Sequence, residues 1–314
     1  MERNRFIFGS EVKFVQALSD TSFTVNTGQV HRYLVNGYRS LYQQNETFFK
    51  EIEEIPRGSV LRVAADGRET LTSYWSPRYQ ECRDLSFEAA VSETKALLLR
   101  SVELRLRADV PVAFCLSGGI DSNALLGLAH RELGYPVHAF SVLNEDARYD
   151  EKDLIDVAVK HFNVPHTALS LSKKSFLEDL HQMIQYQDAP IATVSFYMHW
   201  LLHRAISQAG FRVSIQGTAA DEMFSGYYTH HLYYLYDLRE DRQLYEQALD
   251  GWKRNTLPFV RNPFLQDPAA FLQHPMDREH IFLDREKFSG YLNQSTAEPF
   301  SEVFYRSGLL QNRM

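Results

Sequence analysis

Apolar and polar positions along this chain fall into two textures. From residue 112 onward, short apolar runs alternate with stretches whose apolar residues recur every three or four positions. Val112-Ala113-Phe114-Cys115-Leu116, Val137 to Val142, Thr167 to Leu171 and Phe211 to Ile215 read as buried strands. Between them, Glu151 to Phe162 sets Leu154, Val157, Ala158 and His161 at helical spacing, and Val194 to Ala209 is also helical. Ser175-Phe176-Leu177-Glu178 has the form of a capping box. Strands and helices in alternation predict an α/β fold, a parallel sheet with helices on both faces. Ahead of this region, Ser86 is placed to cap a long helix with Val91, Leu97, Leu98, Val102 and Leu104 as its apolar side. Asp109-Val110-Pro111 then breaks into the first strand.

Residues 1–76 read differently. Phe6-Ile7-Phe8 is strand-like, and Ser10 to Val15 suits a short helix opened by a serine cap. Val60 to Val63 and Glu69 to Trp75 flank Asp66-Gly67, a hairpin signal in which both turn residues are expected at positive φ. This piece predicts a few strands with little helix, at the edge of something larger. Pro77 to Arg83 reads as the crossing into the α/β region. After Gly226 come aromatic helices carrying Tyr227, Tyr228, Tyr233, Tyr234, Tyr236, Tyr245 and Trp252, read as packing residues. Asn262 to Pro268 is expected as an extended link, and a last helix runs from about residue 300 to the end.

The bulk numbers mainly exclude. A chain of 314 residues supports one large or two modest domains, and 44% hydrophobic with 23% charged residues is ordinary for a soluble protein. The net charge of −7, with no basic tract, argues against nucleic acid as a partner. No apolar run approaches the roughly 20 residues of a membrane span, and the first residues show no signal core. Cys82 and Cys115 form neither a disulfide framework nor a zinc motif, which fits a reducing, cytoplasmic setting. His199 and His203 lie at i and i+4 without the accompanying Glu of a zinc-protease helix, and read as ordinary core or surface histidines. The sequence sets no oligomeric state.

The chemistry concentrates where the first strand ends, in Ser117-Gly118-Gly119-Ile120-Asp121-Ser122. Adjacent glycines let the backbone curl with its N–H groups toward one point, and the following helix adds the positive end of its dipole. Such a place binds phosphate. Asp121 makes sense there if Mg²⁺ stands between its carboxylate and the phosphate oxygens. No Gly-Lys-Ser/Thr follows, so this is not a Walker loop. It resembles the pyrophosphate loop of enzymes that cleave ATP between its α and β phosphates. A second segment, Ile215-Gln216-Gly217-Thr218-Ala219-Ala220-Asp221-Glu222, also follows a strand and opens a helix. Asp221 there is a second carboxylate for the same Mg²⁺.

Taken together, Asp109-Val110-Pro111, the Ser117–Ser122 loop, Phe140-Ser141-Val142 and Gly217 to Tyr227 resemble the glutamine-hydrolysing asparagine synthetase family in residues, order and spacing. Upstream, Phe8-Gly9-Ser10-Glu11-Val12-Lys13, Thr47 to Ile52, Pro56-Arg57-Gly58 and Tyr74-Trp75 look like the end of that family's glutaminase domain. The resemblance implies an adenine nucleotide α-hydrolase-like fold. It also implies ATP-dependent adenylation of a small-molecule carboxylate, with aspartate the first expectation, followed by displacement of AMP by ammonia. Leu116 and Val142 would touch the adenosine, with Gln216 and Gly217 nearby. Ser117, Gly118, Gly119 and Ser122 would hold phosphates, and Asp121 and Asp221 the Mg²⁺. Residues 1–76 would be a glutaminase remnant and 77–314 the synthetase domain, incomplete at its end. Ammonia would come from a glutaminase domain outside these residues or on a separate chain.

Where the family has a catalytic glutamate, Thr218 stands here. A basic residue that the family carries further downstream is not reached. The leading expectation is therefore an amide-forming ligase of asparagine synthetase type. A same-fold amidotransferase or cyclase acting on another carboxylate, and a non-catalytic nucleotide-binding fragment, are the alternatives. Sulfur-transferring tRNA enzymes share the loop, but the missing Cys pair and basic surface argue against them.

Overall fold

The structure, a computed structural model, describes residues 5–36, 41, 45–76, 84–146, 149–171, 175–273, 290 and 293. The expected crossing segment 77–83, Cys82 and the expected helix after residue 300 lie outside them. In chain order the elements are α1 (Val12–Leu18), α2 (Thr27–Asn36), β1 (Ser59–Val63), β2 (Glu69–Ser73), α3 (Phe87–Arg105), β3 (Val112–Cys115) and α4 (Ile120–Gly127). A π-helical turn, Leu128–Glu132, extends α4. Then follow β4 (Ala139–Leu143), α5 (Lys152–Phe162), β5 (His166–Ser170), α6 (Phe176–Gln187), α7 (Ser195–Gln208), β6 (Val213–Ile215), α8 (Ala220–Phe224), α9 (Tyr228–Asp237), α10 (Arg242–Asn255) and α11 (Pro268–Gln273). The chain forms two compact units, one of Met1–Thr21 with Arg57–Thr218, the other of Ser22–Pro56 with Ala219–Met314.

The first unit is built on a four-stranded sheet in the order β5-β4-β3-β6, every pairing parallel. The two inner strands are largely buried on both faces, so β3 reads as an unbroken apolar run and β4 as one interrupted only by Ser141. Alternate residues of β3 go to opposite faces. Val112 and Phe114 join Leu126 of α4 and Ile155 and Ala158 of α5 on one side. Ala113, with Phe140 of β4, meets Leu202 and Ile206 of α7 on the other. Helices therefore cover both faces, as the alternating pattern predicts. From β3 the chain adds β4 and β5 in one direction, then returns to place β6 on the opposite side of β3. Between β3 and β6 the order reverses, and ligands of open α/β sheets bind at the carboxyl ends flanking such a reversal.

The hairpin forms in register, Ser59 opposite Ser73 and Val63 opposite Glu69. Only Gly67 of the turn has positive φ, at 81°; Asp66 does not. Its loop is longer than two residues: the Gly67 N–H donates to the Ala64 carbonyl and the Ala64 N–H to the Arg68 carbonyl. Residues 6–8 form no strand, and Phe8 is largely exposed, since no strand among the described residues pairs with them. Residues 1–76 hold more helix than expected, because α2 joins α1. α1 is preceded by Glu11 rather than Ser10 at its cap, with no side-chain cap bond.

Ser86 caps α3 as predicted, its Oγ accepting from the Ala89 N–H at 3.2 Å. The proposed apolar side is buried only in part, with Leu98 half-buried. Val102 is buried, while Val91, Leu97 and Leu104 stay exposed among the described residues. In α5 Ala158 of the expected stripe is buried, but its buried companion is Ile155, while Leu154 and Val157 are exposed. Asn262 to Pro268 is not extended: Pro263–Leu265 is a 3₁₀ turn, its proline fixing φ at a helical value.

The second unit has its own core, Leu232 and Leu235 of α9 with Trp252 of α10, Val260, Leu265 and Phe271 of α11. Tyr233 and Tyr245 pack against it, in the packing role read for the tyrosines, whereas Tyr227, Tyr228 and Tyr234 are exposed. No helix among the described residues is long and apolar enough to cross a membrane.

The capping box expected at Ser175 does not form, because its Oγ donates to Asp179 Oδ2 instead (2.9 Å). Asp179 is buried on α6 and also accepts from Arg204 Nη1 (2.6 Å) and Tyr197 OH (3.1 Å) of α7. Burial pushes its carboxyl up, but the bonds from Arg204, Ser175 and Tyr197 outweigh this and hold it below the usual carboxylate value. The stability it contributes is thus present above the unfolded carboxyl's pKa of about 4 and lost as pH falls through the lower folded value. Arg204→Met leaves this carboxylate without its cation and should cost about 3 kcal/mol in denaturant unfolding. Adding Asp179→Leu to that variant should recover a large part of the loss; strictly additive losses would show that the two groups do not act as a pair.

Candidate functional site

The carboxyl ends of β3 and β6 deliver the two sequence motifs to the reversal point. β3 runs into Leu116, buried, and then into the loop that ends in the first turn of α4. Neither glycine of the loop has positive φ, and its amides have separate acceptors within the first unit. The Ser117 N–H donates to Ser122 Oγ (3.1 Å) and the Gly119 N–H to Ser117 Oγ (3.2 Å). The two hydroxyls lie 3.0 Å apart. Asn123 Nδ2 braces the loop from beneath, donating to the carbonyls of Ser117 (3.0 Å) and Gly119 (2.7 Å). The Gly118 N–H donates to the carboxylate of Glu151 (2.8 Å). Ile120, Asp121 and Ser122 supply the first-turn amides, which an α-helix leaves without intrahelical acceptors.

Gly217 comes off β6 directly onto this turn. A Cβ placed on it would lie 3.0 Å from Asp121 Cβ and 3.0 Å from the Ser122 amide nitrogen. Only a residue without a side chain lets the two loops approach so closely. The structure thus brings Ser117, Gly118, Gly119, Asp121, Ser122, Gln216 and Gly217 to one edge of the sheet, with Thr218 exposed immediately after. Leu116 and Val142 lie at the same edge, on the neighbouring ends of β3 and β4, where the Leu116 N–H donates to the Phe140 carbonyl (2.8 Å).

That edge is fixed from below by a buried polar chain. Ser141 Oγ donates to the Leu116 carbonyl (2.6 Å), and His166 Nε2 lies 2.9 Å from the same oxygen. With the serine proton committed to Leu116, the imidazole nitrogen is the donor. Burial lowers the pKa of His166, favouring the neutral ring. Burial pushes up the pKa of the Cys115 thiol, the residue before Leu116, favouring its protonated form.

Asp221 belongs to the second unit. It sits in the first turn of α8, its carboxylate packed against the Cα of Gly226, whose N–H donates to the Asp221 carbonyl (3.0 Å). Glu222 accepts from Tyr227 OH (2.9 Å). Both ends of α8 are left-handed at non-glycine residues, Ala219 (φ 77°) and Ser225 (φ 60°). Each such residue stores strain of order 1 kcal/mol, a cost found mostly where function fixes a backbone. Among the described residues, no group of three or more His, Cys, Asp or Glu is arranged to hold a metal. His203 Nδ1 lies 2.7 Å from the His199 carbonyl, the geometry of a local helix contact.

Sequence reading did not single out Glu151, Asn123 or His166. Glu151 appears there only as the start of an amphipathic helix, and nothing local to residue 151 points to a partner 33 positions earlier.

The family model for asparagine synthase matches residues 93–306. Among curated relatives, an asparagine synthetase [glutamine-hydrolyzing] 3 of Bacillus subtilis is 29% identical over 242 residues, covering 72% of this chain and 38% of that protein. A putative asparagine synthetase [glutamine-hydrolyzing] 2 of Methanocaldococcus jannaschii is 28% identical, covering 72% of this chain and 44% of that protein. An amidase chyE of Penicillium rubens is 27% identical, covering 59% of this chain and 30% of its own length. The chain spans about two-fifths of the length of the first two relatives.

The contact at Gly217 is the most exposed to test. Gly217→Ala should lower the unfolding free energy by about 1–3 kcal/mol, since the added methyl must displace Asp121 or the α4 backbone. Gly251→Ala, in α10 with nothing within 4 Å, should be neutral or stabilising. Equal effects of the two substitutions on the denaturation midpoint would show that the close approach does not exist.

Proposed function

The chain belongs to the asparagine synthase family, and on that premise we propose that it acts as an ATP-dependent amide-forming ligase. In this reading a substrate carboxylate oxygen attacks the α-phosphorus of ATP. The bond to pyrophosphate breaks, and an acyl-adenylate forms. Ammonia then attacks the acyl carbon, AMP leaves, and the ammonium proton passes to solvent or a nearby base. Residues 77–314 would carry this step, residues 1–76 would be the end of a glutaminase domain, and glutamine would supply the ammonia through a domain or chain beyond these residues. The protein would work in the cytoplasm, with no nucleic acid or membrane as partner.

The observation that carries the reading is the Ser117–Ser122 loop at the reversal of strand order, with Gly217 pressed onto Asp121 and the Ser122 amide. Amides, hydroxyls and a helix start at one sheet edge suit a polyphosphate. Leu116 and Val142 offer apolar contact for the adenosine, with Gln216 and Gly217 beside it. Ser117, Gly118, Gly119 and Ser122 would orient the phosphates; their hydroxyls can rotate from one another toward an anion. Asp121 fits Mg²⁺ by the chemistry of its carboxylate, a hard oxygen donor in the first turn of α4 beside the loop hydroxyls. We assign Asp221 as the second carboxylate for that ion. Bound Mg²⁺ would supply charge neutralisation for the departing pyrophosphate.

A specific observation favours a second reading on the same fold. Thr218 is exposed at the end of β6 where the family resemblance expects an acid, and its hydroxyl is neither ionised at neutral pH nor a strong base. Thr218 therefore supports a carboxylate substrate other than aspartate.

Asp121→Asn should weaken MgATP binding by tenfold or more while changing AMP binding far less, because AMP lacks the pyrophosphate; equal losses for both in calorimetry would make Asp121 merely structural. For the substrate, Thr218→Glu in a version carrying the rest of the synthetase domain should raise aspartate-dependent exchange of pyrophosphate into ATP if aspartate is the native substrate. It should leave exchange unchanged or lower if another carboxylate is. Robust aspartate-dependent exchange with Thr218 in place would remove the ground for the second reading.

A further inference from the structure

We propose that Glu151 is an anionic gate on the phosphate loop: its carboxylate holds the Gly118 N–H, and an incoming polyphosphate has to turn it off that amide. The inference rests on the loop binding ATP, as proposed above.

Glu151 occupies the N-cap position of α5, where a side chain ordinarily serves the amides of its own helix. It makes no such bond. The carboxylate reaches across to the Gly118 N–H at 2.8 Å, between residues 33 apart in sequence. The other acceptors on the loop amides are hydroxyls, those of Ser117 and Ser122. A hydroxyl can rotate and donate to a phosphate oxygen. An ionised carboxylate has no proton to give and repels the same oxygen. Among the described residues no cation pairs with Glu151 to soften that repulsion.

The loop is also held so that the glutamate, not the glycine, has to move. A Cβ on Gly118 would lie 2.9 Å from both Cβ and Cδ1 of Leu154 and 3.2 Å from Glu151 Cβ. Gly118 is therefore pressed onto the first turn of α5 and has no room to retreat toward it. Glu151 is exposed, and its side chain can swing into water without losing a buried contact. Binding at Gly118 thus exchanges one anion for another. Ligands with the most charge on the loop and the least contact elsewhere are disfavoured most. Free pyrophosphate is such a ligand, whereas ATP adds its adenosine contacts, so the gate favours the whole nucleotide and hastens release of the pyrophosphate product.

Calorimetric titrations of the full chain and of Glu151→Gln with magnesium pyrophosphate, MgATP and AMP test this. The glutamine keeps the shape and an acceptor but removes the charge. Pyrophosphate and MgATP should each bind about three- to tenfold more tightly to Glu151→Gln, with pyrophosphate gaining at least as much as MgATP. AMP should change by less than about twofold. Glu151→Ala should move affinities in the same direction, and both variants should keep the parent's unfolding midpoint. Unchanged or weaker pyrophosphate binding in folded Glu151→Gln overturns the gate; weakening in both variants would make Glu151 a brace instead. If the parent chain binds MgATP and only the variants' expected gain is missing, the gate alone fails. If parent and variants all fail to bind MgATP, the nucleotide reading fails and the gate with it.

Discussion

The first unit depends on one close approach, the backbone of Gly217 against the first turn of α4. Two parallel strands, β3 and β6, pair at Val112–Val213, Ala113–Ser214 and Phe114–Ile215, and this register carries both following loops to the same height on the sheet. A side chain at 217 would separate them. β3 could not tilt to relieve the clash, because it is buried from Val112 to Phe114 between helices on each face and strands on each edge. Close-packed interiors transmit displacement rather than absorb it. The geometry of the candidate site is thus set by packing beneath it.

Polar contacts complete what packing begins. The Leu116 carbonyl, last before the loop, accepts from buried Ser141, which in turn meets His166 on the edge strand. The loop above is held by Ser122 and Asn123, from the helix it introduces. Buried polar groups are tolerable only when partnered, and here each partner also fixes a position. The strain at Ala219 and Ser225 shows the opposite strategy in the second unit, where the backbone around Asp221 is held in conformations that its residues disfavour.

Much of this was legible in the sequence because strands buried on both faces leave a strong mark. Val112 to Leu116 is an apolar run between breakers, Val137 to Val142 is mostly apolar, and Asp66-Gly67 announces its hairpin. Failures came where two readings fit the same residues. In α5 Ala158 can share a stripe with Leu154 or with Ile155, and only the position of the sheet decides that Ile155 is buried. Ser175 has the form of a cap, but its hydroxyl turns to donate to Asp179, a charged acceptor, and no helix amide donates to it. The glycine loop, Asp121 and Gly217 were readable as chemistry because their residue types have few other uses together. Glu151 was not, since an acidic residue before a helix already has an ordinary explanation. The packing of Gly217 on Asp121 is a property of topology, which no local window contains.

One contact near the start of the chain bears on how the molecule comes to be folded. The Lys13 N–H donates to Asp188 Oδ2 at 2.9 Å, and its ammonium meets the Tyr186 carbonyl, so α1 closes the carboxyl end of α6 across 175 residues of sequence. Asp188 is itself in the left-handed conformation that ends that helix. α1 precedes its partner by the whole of β3, β4 and β5, so the partner is made only after those strands have emerged. Closing so long a loop brings its entropic cost before any reward, and short helices are marginal alone. Made long before its partner, α1 therefore waits to be among the last helices of the first unit to lock.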